Sequence, residues 1–200
     1  MLLIGICGAS GSGKTTLAEA LCERLKGRAL IISQDWYYRD RPDLSFGERK
    51  NLNYDEPGIF DHEALYRDIT CLAQGKEVPL RGYDYSLHLR KDTGAFLEAR
   101  DVVLAEGIHI FYDEALRSLM DLKIYMDVPA DVCALRRVRR DITERGRDVD
   151  GIQEQYLKTV RPMYMKYIRS YADHADLMVG QDCTNPRLLD MLTQYISARL

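Results

Sequence analysis

Residues 8–15 read Gly8-Ala9-Ser10-Gly11-Ser12-Gly13-Lys14-Thr15, and they match the pattern G-x-x-x-x-G-K-[ST] at every specified position. The apolar run at residues 2–7 just before them is typical of a buried strand. The residues that follow predict a helix whose apolar side chains share one face, at Leu17, Leu21, Cys22 and Leu25. The motif therefore stands between a strand and a helix, which is the setting in which such a loop binds phosphate.

The residue types of this loop suit a phosphate ligand. Its glycines permit backbone angles that are closed to other residues, so successive N–H groups can point at phosphate oxygens. The helix that follows adds free N–H groups and the positive end of its dipole. In loops of this pattern the lysine reaches the β- and γ-phosphates, and the hydroxyl after it ligates Mg²⁺. We therefore predict a nucleoside-triphosphate site at Gly8, Ala9, Ser10, Gly11, Ser12, Gly13, Lys14, Thr15 and Thr16, with Thr15 as a metal ligand.

The composition is that of an ordinary globular domain. The chain has 200 residues, of which 46% are hydrophobic and 30% charged, so one domain over residues 1–200 can bury a core. A net charge of −3 disfavours a nucleic-acid partner. The five cysteines show no C-x-x-C spacing, and no apolar run is long enough to cross a membrane. We expect a cytoplasmic protein with no nucleic-acid or membrane partner.

Short apolar runs alternate with helical patterns along the chain. Besides the first strand, four more are predicted, at residues 29–32, 102–105, 122–126 and 177–179. Further helices are predicted at about 61–74, 112–119, 130–143, 148–172 and 186–199. Pro162 should kink or divide the fourth of them. This alternation predicts a three-layer α/β/α fold, with a five-stranded parallel sheet covered by helices on both faces.

Two insertions interrupt the alternation. Residues 36–60 are polar, aromatic and loop-like, and residues 77–98 predict a β-hairpin outside the main sheet. Long insertions on an α/β scaffold usually carry function. The aromatic, imidazole and carboxylate side chains concentrated there suggest an acceptor pocket at Tyr54, Asp55, Tyr83 and His88.

Two carboxylates follow predicted strands at the edge that carries the phosphate loop. Asp35 comes just after the second strand, where it could accept a proton from a hydroxyl that attacks the γ-phosphate. The alternative for Asp35 is a turn or helix-capping aspartate. Glu106 ends the strand at 102–105, where it could hold Mg²⁺ directly or through water. The alternative for Glu106 is a solvated residue at a strand end.

Arginine is concentrated in one short segment. Apolar positions at Val132, Leu135, Val138 and Ile142 predict an amphipathic helix with an inward apolar stripe. Arginines on a closing lid can neutralise the charge that spreads over a transferring phosphoryl group. A solvated basic face or a nucleic-acid patch are the alternatives, and the net charge disfavours the second. We predict a lid over residues 136–148 that contains Arg136, Arg137, Arg139, Arg140, Arg145 and Arg147.

Five further blocks in order give the chain its family resemblance. They are Ser-Gln-Asp-x-Tyr-Tyr at 33–38, Asn-Tyr-Asp-x-Pro-x-x-Phe-Asp at 53–61, Tyr-Asp-Tyr-x-x-His-x-Arg-Lys at 83–91, the strand with Glu-Gly at 101–107, and the arginine block at 136–148. Together with the phosphate loop, they resemble the uridine–cytidine kinases of the phosphoribulokinase/uridine kinase group. The resemblance runs from residue 4 to about residue 179.

The resemblance implies a role for each matching position. Lys14 and Asp35 correspond to catalytic residues, and Asp35 to the base that takes the proton of the ribose 5′-hydroxyl. Arg140 and Arg145 correspond to lid residues near the phosphates, and Glu106 to the acid near the metal. Tyr54 stands where the family has phenylalanine. The remaining matches imply contacts to the nucleoside, namely Asp55 and Arg137 to the ribose hydroxyls, Tyr83 and His88 to the pyrimidine, and Arg147 and Gln155 elsewhere.

The implied activity is transfer of the γ-phosphate of ATP to the 5′-hydroxyl of uridine or cytidine, in pyrimidine salvage. The family is commonly tetrameric, which implies a homo-oligomer. Residues 180–185 depart from the usual pattern near the adenine, so GTP stays open as a donor. Three alternatives also stay open: a kinase of the same group for pantothenate or a sugar phosphate, a non-catalytic nucleotide switch, and an RNA-binding module.

Overall fold

The computed structural model describes residues 1–200 and contains a five-stranded parallel sheet. Its strand order is β2-β5-β1-β6-β7, which places the strand that leads into the phosphate loop at the centre. Each of the five strands predicted from the sequence is present. A separate antiparallel pair, β3 and β4, forms a hairpin outside this sheet. The strands are β1 (Leu2–Gly8), β2 (Ala29–Ser33), β3 (Val78–Asp84), β4 (Leu89–Leu97), β5 (Val102–Gly107), β6 (Leu122–Met126) and β7 (Leu177–Val179).

Helices cover both faces of the sheet. Leu3 and Ile4 are neighbours in β1, and their side chains enter different cores because successive strand residues point to opposite faces. The result is the predicted three-layer α/β/α arrangement. None of the helices combines the length and apolar character of a membrane span. They are α1 (Lys14–Arg24), α2 (Phe46–Lys50), α3 (His62–Ala73), α4 (Glu114–Ser118), α5 (Ala130–Arg145), α6 (Val149–Gln155), α7 (Arg161–Lys166) and α8 (Pro186–Ser197).

The β3–β4 hairpin is fastened to the rest of the chain through two arginines. Arg81 donates to Asp68 on α3 at 2.7 Å, and this ion pair is largely buried. Arg90 donates to the carbonyl of Tyr38 at 2.7 Å and to Asp61 at 2.8 Å. Because Tyr38 follows the turn after β2, the hairpin is held directly above the edge of the sheet where the phosphate loop begins.

The segment predicted as one helix over 148–172 is broken into four pieces. A π-helical turn at Tyr156–Val160 separates α6 from α7, and a 3-10 segment follows at Ile168–His174. Pro162 accounts for the first break, since it lacks an N–H and its ring would clash with the carbonyl four residues earlier. The wider π turn immediately before it accommodates this clash. The prediction of a division at Pro162 is confirmed, but the extent of regular helix was overestimated.

The inward face of α5 differs from the predicted one. Leu135 is 71% exposed and Ile142 is 41% exposed, so the apolar stripe does not pack inward. The positions that the helix buries are Cys133, Arg137 and Asp141, spaced four residues apart. A charged pair can occupy this face because Arg137 and Asp141 lie 3.6 Å apart and neutralise each other. Arg137 also borders a polar cavity rather than the core.

Candidate active site

The phosphate loop presents several unused hydrogen-bond donors. Gly11 and Gly13 have φ values of 84° and 94°, in the left-handed region that favours glycine. Inside the loop the Ser12 N–H donates to the carbonyl of Ala9 at 3.1 Å. The backbone N–H groups of Gly11, Gly13, Lys14 and Thr15 donate to no acceptor in the protein. A cradle of unpaired N–H groups at a helix start fits an anion with several oxygens.

Two side chains of the loop add to this cradle. Lys14 is only 8% exposed, and its Nζ donates to the carbonyl of Ala9 at 3.0 Å, which leaves further donors for a ligand. The Ser12 hydroxyl is buried without a hydrogen-bond partner. A buried cation and an unpartnered hydroxyl are costly unless a ligand pairs with them. The residues present therefore fit a polyphosphate.

Gly11 also sets how closely the loop approaches α5. A Cβ at Gly11 would lie 2.3 Å from the carbonyl oxygen of Cys133, whereas a Cβ at Gly27, with a nearly equal φ of 82°, would meet nothing. We expect Gly27→Ala to cost about 1 kcal/mol of unfolding free energy, from backbone strain alone. Gly11→Ala adds a clash with backbone and should cost at least twice as much. Urea unfolding of both variants measures this difference, and equal losses would contradict it.

Glu106 lies beside the loop at the end of β5. It is 5% exposed and close to the hydroxyls of Thr15 and Ser33. Burial raises the pKa of its carboxyl, while the nearby Lys14 ammonium opposes that effect. A hard cation between Thr15 and Glu106 would find oxygen ligands on both sides, so these two residues fit Mg²⁺.

Asp35 sits in a rigid turn that follows β2. The turn is a 3-10 segment at Gln34–Tyr37, and the Asp35 carboxylate accepts its hydrogen bond from the Tyr85 hydroxyl rather than from the backbone of the turn. Gln34 is completely buried, and its Oε1 accepts a hydrogen bond from the backbone N–H of His109 at 2.8 Å. A Cβ at Gly107 would lie 2.4 Å from the Gln34 side chain, so only glycine lets β5 pass so close. The contacts of Gln34 with His109 and Gly107 therefore hold the backbone that carries Asp35.

A cavity of about 260 Å³ opens between this turn, the hairpin, α5 and the phosphate loop. Lys14, Thr15, Thr16 and Glu106 lie outside its lining, around the loop itself. Its walls include most of the nucleoside and lid residues predicted from the sequence, namely Tyr54, Asp55, Tyr83, His88, Arg137, Arg140, Arg145, Arg147 and Gln155, together with Asp35 and Ser10. The cavity therefore connects the loop to residues that are up to 145 positions away in sequence.

One end of the cavity is aromatic. The rings of Tyr54 and His88 stack at 4.9 Å with an interplanar angle of 22°, and Tyr83 lies 6.3 Å from Tyr54. Nδ1 of His88 is buried without a hydrogen-bond partner. Burial lowers the pKa of His88, and the charge of Arg147 lowers it further, so the imidazole stays neutral. This end suits a flat heteroaromatic ring with hydrogen-bonding groups on its edge.

The middle of the cavity is charged and buried. Asp55 is 5% exposed, and Thr159 donates a hydrogen bond to it at 2.8 Å. Arg137 lies 4.0 Å from Asp55 and donates to Ser10 and Gln155, both at 3.0 Å. Burial raises the pKa of Asp55 and lowers the pKa of Arg137, and each charge partly offsets the effect on the other. Such a pair can hold vicinal hydroxyls, because Arg137 can donate hydrogen bonds to them and Asp55 can accept hydrogen bonds from them.

Asp141 organises the arginine segment, and the sequence did not single it out. Its side chain is fully buried, with Arg140 at 2.9 Å, Arg145 and Arg147 at 3.4 Å, and Arg137 at 3.6 Å. Burial acts to raise its pKa, but the surrounding guanidinium groups outweigh this and hold the pKa below its usual range. One carboxylate faces four guanidinium groups, and because each guanidinium has five N–H donors, the arginines keep donors for an anionic ligand.

His109 is fully buried and holds the backbone of Asp55. Its Nε2 donates to the carbonyl of Asp55 at 2.7 Å, and its Nδ1 accepts from the hydroxyl of Tyr171 at 2.9 Å. Burial lowers the pKa of His109 from 6.5 to about 4. The unfolded chain therefore binds a proton at His109 more readily than the folded protein does. The stability that neutral His109 contributes is complete above pH 6.5 and declines as the pH falls to 4.

Because His109 is protonated more readily in the unfolded chain, we expect its titration to lower the free energy of unfolding by roughly 3 kcal/mol between pH 7 and pH 4. Urea unfolding at both pH values, with the wild type and His109→Gln, isolates the contribution, because other groups titrate alike in the two proteins. The wild type should lose roughly 3 kcal/mol more than the variant over this range. Equal losses would show that His109 does not titrate with folding.

Tyr38, Tyr85 and Thr159 join the site without having been predicted. Tyr85 lies two residues beyond Tyr83, and that spacing puts both rings on one side of the hairpin, which the sequence could have indicated. Thr159 falls in the π-helical turn, whose altered register no periodicity reveals.

Known proteins resemble this chain over most of its length. The family model described as "Phosphoribulokinase / Uridine kinase family" matches residues 3–186. A uridine kinase of Limosilactobacillus reuteri is 42% identical over 196 residues, covering 98% of this chain and 90% of its own. A uridine kinase of Bacillus subtilis is 40% identical over 200 residues, covering 100% and 95%.

The solved structure of phosphoribulokinase from Rhodobacter spheroides superposes with a TM-score of 0.65 at 17% identity. It covers 92% of this chain and 73% of its own, and at that identity the likeness concerns the fold. Family membership rests on full-length matches at about 40% identity and on a family model that covers most of the chain. The protein therefore belongs to the phosphoribulokinase/uridine kinase family.

Proposed function

We propose that this protein transfers the γ-phosphoryl group of ATP to the 5′-hydroxyl of uridine or cytidine, as a cytoplasmic enzyme of pyrimidine salvage. One observation carries the proposal. A single cavity runs from Ser10 of the phosphate loop, past Asp35, to the stacked rings of Tyr54 and His88. An acceptor with a hydroxyl at one end and a flat base at the other matches that order of side chains.

On the donor side, the unpaired N–H groups of residues 8–16 and Lys14 bind the phosphates. Thr15 and Glu106 would hold Mg²⁺, which when bound supplies charge neutralisation between the phosphate oxygens. Cys183 lies beside the loop, with its Sγ 3.7 Å from the Gly13 carbonyl, so residues 180–185 border the region beyond the phosphates. Rates with ATP and GTP measure which donor base this border accepts.

On the acceptor side, Asp35 orients the 5′-hydroxyl and accepts its proton. Asp55 and Arg137 hold the ribose hydroxyls, and Tyr54, Tyr83 and His88 bind the pyrimidine. Arg147 and Arg137 both donate to Oε1 of Gln155. This shared acceptor connects the end of the lid to the ribose site. As residues 136–148 close, Arg140 and Arg145 exchange part of their contact with Asp141 for the phosphates and offset the developing charge.

We also infer one kinase domain over residues 1–200, in which the hairpin at 77–98 recognises the acceptor and the lid at 136–148 closes over the phosphates. A homo-oligomer, with a tetramer as the expected form, is part of this proposal. Sedimentation measures the oligomer directly.

The acceptor is tested by a panel. ADP release with ATP and Mg²⁺ is compared for uridine, cytidine, pantothenate, ribulose 5-phosphate and no acceptor. The proposal predicts strong stimulation by the two nucleosides and none by the other compounds. Stimulation by pantothenate or the sugar phosphate alone would show that the enzyme acts on another class of acceptor. Equal slow hydrolysis in all samples would favour a nucleotide switch.

A further inference from the structure

Tyr85 touches two of the groups to which the proposed function gives a role. Its hydroxyl donates a hydrogen bond to Oδ2 of Asp35 at 2.9 Å. The guanidinium carbon of Arg145 lies 4.2 Å from the centre of its ring. Tyr85 thus joins the carboxylate that faces the acceptor to an arginine of the lid.

We propose that Tyr85 is a positioning residue for phosphoryl transfer, whose hydroxyl holds one oxygen of Asp35 so that the other faces the acceptor hydroxyl. The inference rests on the proposed function. The terminal torsion of an aspartate is broad, so a carboxylate without partners on an open cavity wall samples many orientations. A hydrogen bond from a fixed donor selects one of them, and such alignment of reacting groups raises the rate of transfer.

The surroundings make Tyr85 a fixed donor. Its ring packs edge-on against Tyr83, with centroids 5.3 Å apart and an interplanar angle of 78°. The guanidinium of Arg145 stacks over the ring, and Arg90 joins the same hairpin to the backbone of Tyr38. Tyr85 is 40% exposed, and partial desolvation of its hydroxyl together with the negative charge of Asp35 raises the pKa of Tyr85, so the hydroxyl keeps the proton that it donates.

The contact between Tyr85 and Asp35 depends on one atom of Tyr85, its hydroxyl oxygen. Tyr85→Phe removes the hydroxyl but keeps the ring, the packing against Tyr83 and the stacking with Arg145. The hydroxyl is engaged by Asp35 rather than by the ribose or base residues, so its loss should act on turnover and leave nucleoside binding intact. Hydrogen bonds to charged groups are worth enough to predict a decrease in kcat of roughly ten-fold.

The test is a double-mutant cycle with uridine as acceptor, using Asp35→Asn, Tyr85→Phe and the double variant. Tyr195→Phe on α8 is the matched control, since its ring stacks with Arg199 on the far side of the molecule. Steady-state kinetics give kcat and KM, and calorimetry gives the Kd for uridine.

We expect Tyr85→Phe to lower kcat roughly ten-fold, with KM and Kd for uridine changed less than two-fold. In the Asp35→Asn background it should change the residual rate less than two-fold, because the residue acts through Asp35. An equal ten-fold loss in that background, or a loss confined to KM and Kd, overturns the inference. Unchanged kcat in an active enzyme overturns the inference alone, whereas a wild type that phosphorylates no nucleoside overturns the proposed function and this inference with it.

Discussion

Replacing Asp35 by asparagine is expected to lower kcat for uridine by about 10²–10⁴-fold, the contribution of a positioned general base. The amide keeps the size and the hydrogen bond to Tyr85, but it cannot accept the proton of the attacking hydroxyl. Because the turn is anchored through Gln34 and not through Asp35, the fold should be unaffected. Initial rates over a range of uridine concentrations measure the effect.

Binding serves as the check on this prediction. The Kd values for ATP and uridine should stay within a few-fold of those of the wild type, since neither the phosphate loop nor the Tyr54–His88 pair is altered. Asp43→Asn is the matched control, because Asp43 is an exposed aspartate nearby that contacts only Arg41. If Asp35→Asn kept near-normal turnover, Asp35 would not be the base.

Replacing Arg137 by glutamine is expected to reduce both stability and substrate binding. Arg137 is 6% exposed and is the principal cation near the equally buried Asp55. Breaking a buried pair by removing one partner typically costs about 3–5 kcal/mol, because the other charge stays buried. In a chain of this length that corresponds to a decrease in Tm of roughly 10 °C. Urea unfolding and calorimetry measure the two quantities.

The same variant should raise the KM for uridine at least ten-fold, since the ribose site loses a charged donor. Arg139→Gln is the control on the same helix, because Arg139 is exposed and forms no ion pair. It should change the unfolding free energy by no more than about 0.5 kcal/mol. Similar small losses in both variants would contradict the buried pairing of Arg137 with Asp55.

The sheet and the phosphate loop were predictable because their signals are local. The loop pattern has fixed spacing, and each strand is a short apolar run that needs no knowledge of its neighbours. The position of Asp35 and Glu106 at one sheet edge followed from the rule that parallel strands end together. Residues 53–61 and 83–91 were matched through resemblance, and nothing in their own periodicity shows that Tyr54 and His88 stack.

The inward face of α5 was not predictable from hydrophobicity. The pattern favoured burial of Leu135 and Ile142, whereas the helix buries Arg137 and Asp141. The cost of burying these two charges is offset by their own ion pair and by partners on other segments. Likewise, the contact between Tyr85 and Asp35 joins residues 50 positions apart. Such pairings depend on tertiary structure, and the proposed site contains the residues where the local pattern and the tertiary structure disagree.

The most direct test of the central claim is the fate of the transferred phosphate. The protein is incubated with ATP labelled at the γ-phosphate, Mg²⁺ and uridine, and the labelled products are separated and identified by mass spectrometry. The geometry of Asp35 between the phosphate loop and the ribose site predicts that the label appears in uridine 5′-monophosphate. Label found only in inorganic phosphate, or on another hydroxyl of the ribose, would contradict the account.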